Sequence, residues 1–233
     1  MPIALITGAS RGLGAALASA LVEQGWDVVT TARDEAALQH AADGVNGSGT
    51  VIPAAGDVGD ESERERLAQL VASLGGLDLL VNNASDLGQS PLPRLVDYPL
   101  DRLEMLMQTN VVAPLGLLQA LLPHLRDDAV VINVTSDAGS EAYEGWGGYG
   151  ASKAALDHLS AVLAVELPQL RIYAVDPGDM RTRMQQDAFP GEDISDRPEP
   201  QTVVPAFLHL LDARPKSGRY VASQLRESIG VPA

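Results

Sequence analysis

The sequence predicts one doubly wound α/β domain, a parallel sheet with helices on both faces, and three observations carry that expectation. Short apolar runs alternate with longer segments of helical spacing, as in a chain of strand–helix units. The runs are apolar throughout instead of alternating with polar residues, which is how strands buried on both faces read. Length sets the scale: 233 residues, 45% of them hydrophobic, suffice for one large domain with a substantial core. With no internal repeat, low-complexity segment or composition shift to mark a boundary, residues 1–233 are expected to form a single domain.

The elements follow in order. Residues 2–6 are a short apolar run that ends at Thr7-Gly8, and Leu13, Leu17, Leu21 and Val22 then recur at helical spacing over 13–24, giving strand, turn and helix. Val28-Val29-Thr30-Thr31 is a β-branched strand after Gly25, 34–42 an alanine-rich helix, and Thr50-Val51-Ile52 a strand after the turn-like Asn46-Gly47-Ser48-Gly49. A charged helix over 60–74 leads to a strand at 77–81, a loop fills 83–99, and one long helix fits 100–125. Then come a buried strand at 129–134, a helix at 149–167 and a strand at 171–175. After the Pro- and Gly-rich stretch 177–200, a last helix covers 203–211 and a last strand 219–221. Ligands of such sheets bind beyond the carboxyl ends of the strands, so the loops after residues 6, 31, 55, 81, 135 and 175 are expected to hold the chemistry. The stretch 177–200 is long for a plain connection and is expected to be a lid or partly disordered substrate loop.

Composition excludes several classes. A net charge of -15 and a pI near 4.5 argue against nucleic-acid and anionic-membrane partners, which are held mainly by Lys and Arg contacts to phosphate. The absence of cysteine removes disulfides, thiol chemistry and Cys-based metal sites, and His40, His124, His158 and His209 lack ligand spacing, so no metal is expected. No positive charge precedes the N-terminal apolar run and Ser10-Arg11-Gly12 interrupts it, so it does not read as an export signal; a cytoplasmic location is expected.

Thr7-Gly8-Ala9-Ser10-Arg11-Gly12-Leu13-Gly14 sets three glycines between the first strand and the first helix, where the backbone can turn sharply and the helix N-terminus can receive a pyrophosphate. Gly8, Ser10 and Gly12 also spell the Gly-x-Ser-x-Gly of a hydrolase nucleophile elbow, with Asp176 and His209 following in triad order. Too few residues precede Ser10 for that fold, and a Ser10 hydrolase stands as a remote alternative. At the end of the second strand, where an acidic residue would hold an NAD ribose, stand Ala32 and Arg33, with Arg11 available from the glycine loop; this favours NADP(H) over NAD(H), with Asp34 dissenting. Tyr149 and Lys153 lie one helical turn apart, and an ammonium beside a phenol favours the ionised phenol, so the pair can act as a tuned acid/base.

Asp57-Val58 follows the third strand, Asn82-Asn83-Ala84 the fourth, Asn110 lies in the long helix, and Thr135-Ser136 caps the fifth strand. In this order, with Thr7–Gly14, Tyr149-x-x-x-Lys153, Pro177-Gly178 and Thr182, the chain resembles the short-chain dehydrogenase/reductase family over essentially its whole length. The resemblance implies a Rossmann-type fold and an NADP(H)-dependent oxidoreductase interconverting a carbonyl and an alcohol on a small or medium neutral substrate. It implies catalytic roles for Ser136 as carbonyl hydrogen-bond donor, Tyr149 as proton donor, Lys153 as ribose ligand that lowers the tyrosine pKa, and Asn110 as holder of a water linking Lys153 to solvent. The implied cofactor site comprises Gly8, Ser10, Arg11, Gly12, Leu13, Gly14, Arg33, Asp57, Val58, Asn82, Ala84, Tyr149, Lys153, Pro177, Gly178 and Thr182. A protein of this fold that binds NADP without catalysis is the alternative.

Two departures stand out. The family's Asn-Asn-Ala-Gly reads Asn-Asn-Ala-Ser here, ending on Ser85, and Ser136 is followed by Asp137, with Glu141 and Glu144 nearby to disfavour anionic substrates. Tyr143, Trp146, Met180, Met184 and Phe189 are expected to line the substrate pocket. Leu103, Leu106, Leu117, Leu118 and Leu121 in one helix and Leu156, Leu159, Leu163 and Leu167 in another exceed what one sheet contact needs, in keeping with the homodimers or homotetramers of the family.

Overall fold

A computed structural model describes residues 1–230; residues 231–233 of the expected domain lie outside that description. Strands β1 (Ile3–Thr7), β2 (Asp27–Thr31), β3 (Val51–Pro53), β4 (Leu77–Asn82), β5 (Leu125–Val134), β6 (Arg171–Asp176) and β7 (Gly218–Val221) form one sheet in the order β3-β2-β1-β4-β5-β6-β7. Every pairing is parallel, with Ile6 set against Thr30 on one side and Val81 on the other. Successive side chains of a strand point to opposite faces, and both faces of β1 are buried. Ala4 and Ile6 join a layer containing Leu13, Leu17, Leu21 and Phe207, whereas Ile3 and Leu5 join another containing Leu67, Val71, Leu117 and Leu121. The expected doubly wound domain is what forms.

The helices are α1 (Gly12–Glu23), α2 (Glu35–Asp43), α3 (Glu61–Ser73), α4 (Leu100–Met107), α5 (Ala113–Leu121), α6 (Gly147–Glu166), α7 (Arg183–Ala188), α8 (Val204–Ala213) and α9 (Ala222–Ser228). The chain leaves β1 for β2 on one side and returns from β3 to β4 on the other, so a crevice opens at the carboxyl ends of β1 and β4.

Three departures from the sequence reading have local causes. The long helix expected over 100–125 is α4 and α5 joined by a π-turn at Gln108–Val112, and a single 3₁₀ turn then runs straight into β5 at Leu125. Pro114 has no N–H to return to the carbonyl of Asn110 four residues back, so the α-helical ladder fails there. The 177–200 stretch carries a helix of its own, α7, started by Thr182, whose hydroxyl accepts from the Gln185 N–H at 3.2 Å. Helix α9 follows β7 directly and was not visible as a periodic apolar segment. The run Leu100–His124 is apolar and long enough, by length and composition, to cross a bilayer. In this fold Ala113, Leu117, Leu118 and Leu121 are buried in the sheet-facing core.

Candidate active site

One cavity of about 920 Å³ runs along the carboxyl edge of the sheet and gathers the glycine loop, the β2 end, Ser136, Tyr149, Lys153 and the 177–189 segment. At its floor, Thr7 ties the ends of β1 and β4 together. Its hydroxyl accepts from the Asn83 and Ala84 N–H groups at 3.0 and 2.9 Å, and the Asn83 amide donates back to the Thr7 and Gly8 carbonyls at 2.8 and 3.1 Å. Only glycine fits this junction at two points. Gly8 has φ +66, and a Cβ there would stand 2.9 Å from Ala84 Cα; a Cβ on Gly14 would stand 2.6 Å from both Asn83 Nδ2 and the Gly8 carbonyl oxygen. Arg11, the residue before α1, gives the helix no side-chain cap, and Gly12 and Leu13 of its first turn line the cavity.

At the end of β2, Asp34 lines the cavity and also caps a helix. Its carboxylate accepts from the Ala37 N–H at 3.0 Å at the start of α2, and Arg33 and Arg11 line the cavity beside it. Asp57 turns its carboxylate back to the Gly59 N–H at 2.9 Å.

Tyr149 and Lys153 project from the first turns of α6. The Lys153 ammonium donates to the Val134 carbonyl at 2.8 Å and lies 5.4 Å from the centre of the Tyr149 ring, over its face. Burial lowers the Lys153 pKa to about 8, against the opposing charge of Asp157. The lowering of the Tyr149 pKa expected from Lys153 is opposed by burial. Burial pushes the Tyr149 phenol well above its ordinary value; a hydrogen bond from Ser85 works downward, and the Asp176 and Asp137 charges work upward. The ammonium stands over the ring and donates to the Val134 carbonyl.

The Ser136 hydroxyl donates to Asp137 Oδ1 at 2.9 Å. Of the acidic trio, Asp137 lines the cavity, whereas Glu141 and Glu144 line a separate surface groove. The Tyr143 hydroxyl stands 3.0 Å from Asp137 and 2.9 Å from Glu141, and one phenolic proton shared between two carboxylates pushes its pKa upward. The main chain of Ser136 is held from β7: Arg219 Nη2 donates to the Ser136 carbonyl and to Asp176, each at 3.1 Å, and Arg219 Nε donates to Asp157 at 3.1 Å.

Three expected site residues do not line the cavity. Gly14 supplies room for Asn83 instead. Asn82 turns into the sheet, donating to Asn133 at 2.8 Å, and Asn133 donates to Ser160 at 2.8 Å. Asn110 lies behind the loop after β4: its amide accepts from the Asp86 N–H at 2.7 Å and donates to the Asp86 carbonyl at 2.8 Å and to Ser152 at 3.0 Å. The other expected positions line the cavity, and so do Tyr143, Trp146, Met180, Met184 and Phe189. Trp146 packs edge-on against Tyr149 at 5.7 Å and tilted against Phe189 at 6.0 Å. Sequence reasoning passed over Arg219, because no local pattern links it to a serine so distant in the chain. The bracing role of Asn83 is likewise not readable from its motif.

Known proteins resemble this chain in sequence and in fold. A family model described as short chain dehydrogenase matches residues 2–193. The chain belongs to the short chain dehydrogenase family. A Pseudomonas aeruginosa member, rhamnolipids biosynthesis 3-oxoacyl-[acyl-carrier-protein] reductase, is 40% identical over 192 residues, which cover 78% of this chain and 74% of that one. A Pseudomonas syringae protein described as a short chain dehydrogenase superposes with a TM-score of 0.89 at 33% identity, covering 94% of this chain and 93% of that one. One from Shigella flexneri, complexed with NADP, gives 0.87 at 31% identity, covering 95% and 97%. This short chain dehydrogenase therefore shares its whole architecture with dinucleotide-binding relatives.

Proposed function

We propose that this protein is an NADP(H)-dependent oxidoreductase that interconverts a carbonyl and an alcohol on a small or medium neutral substrate. The observation that carries the reading is that Ser136, Tyr149 and Lys153 meet in the same cavity as an uncapped helix N-terminus. The residues fit the cofactor. Gly12 faces Thr182 across the cavity, a Cβ on Gly12 standing 3.5 Å from the Thr182 methyl, and Gly178 has open space around it, so phosphates can be enclosed by backbone from both sides. Arg33 and Arg11 line the cavity where a 2′-phosphate would sit, one Asp34 carboxylate oxygen being engaged in the α2 cap, and the Shigella flexneri relative complexed with NADP supports the same choice.

NADPH supplies the hydride when bound. The chain's own groups do the rest: the Ser136 hydroxyl donates a hydrogen bond to the substrate oxygen in place of Asp137, keeping its proton, and Tyr149 gives that oxygen its proton. Lys153, charged at neutral pH, holds ribose hydroxyls and favours the phenolate left behind. Trp146, Met184 and Phe189 give the substrate an apolar wall.

The Pseudomonas aeruginosa relative is a 3-oxoacyl-[acyl-carrier-protein] reductase. A net charge of -15 and the Asp137 carboxylate in the cavity disfavour an acidic carrier protein as partner here. The Ser10 hydrolase reading has no base to work with, since no histidine is among the residues lining the cavity and Asp176 is paired with Arg219. We read the protein as cytoplasmic and as a homodimer or homotetramer. The leucines first counted for that interface are largely spent inside, with Leu106, Leu117, Leu118, Leu121 and Leu156 buried. Met105, Val112, Val162 and Val165 are exposed on the same helices and offer the apolar face instead.

The test is turnover: NADPH is consumed with members of a neutral carbonyl panel, and Tyr149→Phe abolishes that consumption while NADPH binding stays within about threefold. Full activity in Tyr149→Phe overturns the mechanism. Tight NADPH binding with no turnover on any substrate supports the silent-binder alternative.

A further inference from the structure

The loop after β3 has its backbone held from α3. Arg64 Nη1 donates to the Val58 carbonyl at 2.9 Å and to the Gly59 carbonyl at 2.8 Å, and the Gln108 amide donates to the same Gly59 carbonyl at 3.1 Å. Arg66, paired with Glu63 at 2.7 Å, donates to the Ala55 carbonyl at 3.2 Å. Two arginines of one helix therefore take three carbonyls of a single loop. Between those anchors Gly56, Asp57 and Val58 line the cavity, and Asp57 closes a turn on the Gly59 N–H at 2.9 Å.

The fold makes room for this grip. Gly116 lies inside α5, where glycine is the poorest helix former after proline, and its backbone has no positive φ to call for it. A Cβ there would stand 2.8 Å from Arg64 Nε and 3.2 Å from its guanidinium carbon. The helix carries the weaker former, and the guanidinium passes over it. Arg64 is half-buried, and its Nη1 bears the two hydrogens that the two carbonyls need.

Position along the cavity decides what the loop serves. With Arg33 and Arg11 at the β2 end as ligands of the 2′-phosphate, and Tyr149 and Lys153 at the reacting centre, the neighbouring β3 end flanks the adenosine half of NADP(H). We propose that Arg64 is a positioning residue for that half: it pins the Val58 and Gly59 carbonyls to α3, so that Asp57 and Val58 meet the adenosine as a preformed wall. A loop ordered before binding costs the ligand less than one ordered by it. Arg64 does not itself line the cavity, so it acts through the loop. The inference rests on the NADP(H) reading of the site.

Binding of the two cofactor halves tests this without turnover. The probes are 2′,5′-ADP for the adenosine half and reduced nicotinamide mononucleotide for the other, each titrated by ligand-observed NMR against the full chain as parent, Arg64→Met, Arg64→Lys and Gly116→Ala. Arg64→Met keeps an apolar stem and leaves Gly59 its Gln108 bond, so the loop is loosened within an intact fold. Its affinity for 2′,5′-ADP falls about tenfold, whereas that for the nicotinamide half stays within about twofold. Arg64→Lys, with donors for both carbonyls, recovers most of the loss. Gly116→Ala displaces the guanidinium with its charge intact and costs about threefold, again on 2′,5′-ADP alone. With NADPH, KM rises about tenfold in Arg64→Met while kcat at saturation holds. Equal losses on both halves, an unchanged 2′,5′-ADP affinity in Arg64→Met, or a loss that added salt abolishes overturns the inference, the last because it assigns the effect to charge. Should Arg64→Met not fold, Gly116→Ala decides, and an unchanged 2′,5′-ADP affinity there is the overturning result. A parent that does not bind 2′,5′-ADP removes the NADP(H) reading as well; a parent that binds it no better than Arg64→Met removes the Arg64 inference alone.

Discussion

Arg219 holds Ser136 by its main chain: a guanidinium on the last strand donates to the Ser136 carbonyl oxygen at 3.1 Å, and the same nitrogen reaches Asp176. The proposed carbonyl ligand is therefore positioned from the edge of the sheet, by a residue that does not line the cavity. Arg219→Met leaves the buried Asp176 carboxylate with only the Gly178 N–H as a hydrogen-bond donor, at a cost of about 2 kcal/mol, discounted because the guanidinium is partly exposed. Thermal unfolding reads that loss, and kcat falls about tenfold as Ser136 loosens. Arg219→Lys recovers stability more than kcat, because an ammonium lacks the fork that bonds three acceptors together. Equal recovery of both would mean that Arg219 acts through charge alone.

Lys153 makes stability depend on pH. Its folded pKa is about 8, below the ordinary 10.5, so between those values the unfolded chain binds a proton that the folded one has released. Stability due to this group therefore rises from pH 8 towards pH 10.5, by at most about 3 kcal/mol. Urea unfolding of the parent and of Lys153→Met at several pH values isolates the effect. The parent gains on the variant as pH rises through that window, and parallel curves would contradict it.

Gly14→Ala tests the junction beneath the cofactor site. A methyl group there drives into Asn83 Nδ2 and the Gly8 carbonyl, and the rigid backbone oxygen cannot yield as a flexible side chain does. Expected are a loss of about 2–3 kcal/mol and at least tenfold weaker NADPH binding, read by denaturation and by fluorescence titration. Ala15, the next residue of the same helix, is a control position for helix content.

Asp137→Asn tests substrate charge. Asparagine keeps an acceptor for the Ser136 hydroxyl and the Ala138 N–H but removes the negative charge in the cavity. kcat/KM for anionic carbonyl compounds rises about tenfold relative to neutral ones, and the gain shrinks as salt is added. An unaltered ratio would show that the Asp137 charge does not reach the substrate.

The strands and the glycine turn were legible because they depend on local composition: Ile3–Thr7 is apolar on both faces, and few residues other than glycine tolerate the conformation at Gly8. The wall formed by Trp146, Met184 and Phe189 was legible because apolar residues stood in loops at the carboxyl edge. What the sequence could not reveal was the division of labour among polar neighbours. Asn82, Asn83 and Ala84 read as one motif, yet Asn82 bonds within the sheet, Asn83 braces the glycine turn and Ala84 lines the cavity. Asp34 read as an objection to NADP, and its role as the α2 cap depends on where that helix begins. Arg219 acts on Ser136 across 83 positions of chain, a separation that no local period encodes.

The π-turn at Gln108–Val112 lets one continuous rod serve two surfaces that an unbroken helix would present out of phase. An extra residue in the coil advances everything after it by about 100°. Asn110 thereby faces the Asp86 loop and Ser152, and the leucines of α5 still meet the sheet. Deleting one residue between Gln108 and Val112 would straighten the rod and force a choice between the two, so a change of length here costs more than a substitution at the exposed Gln108 or Val112.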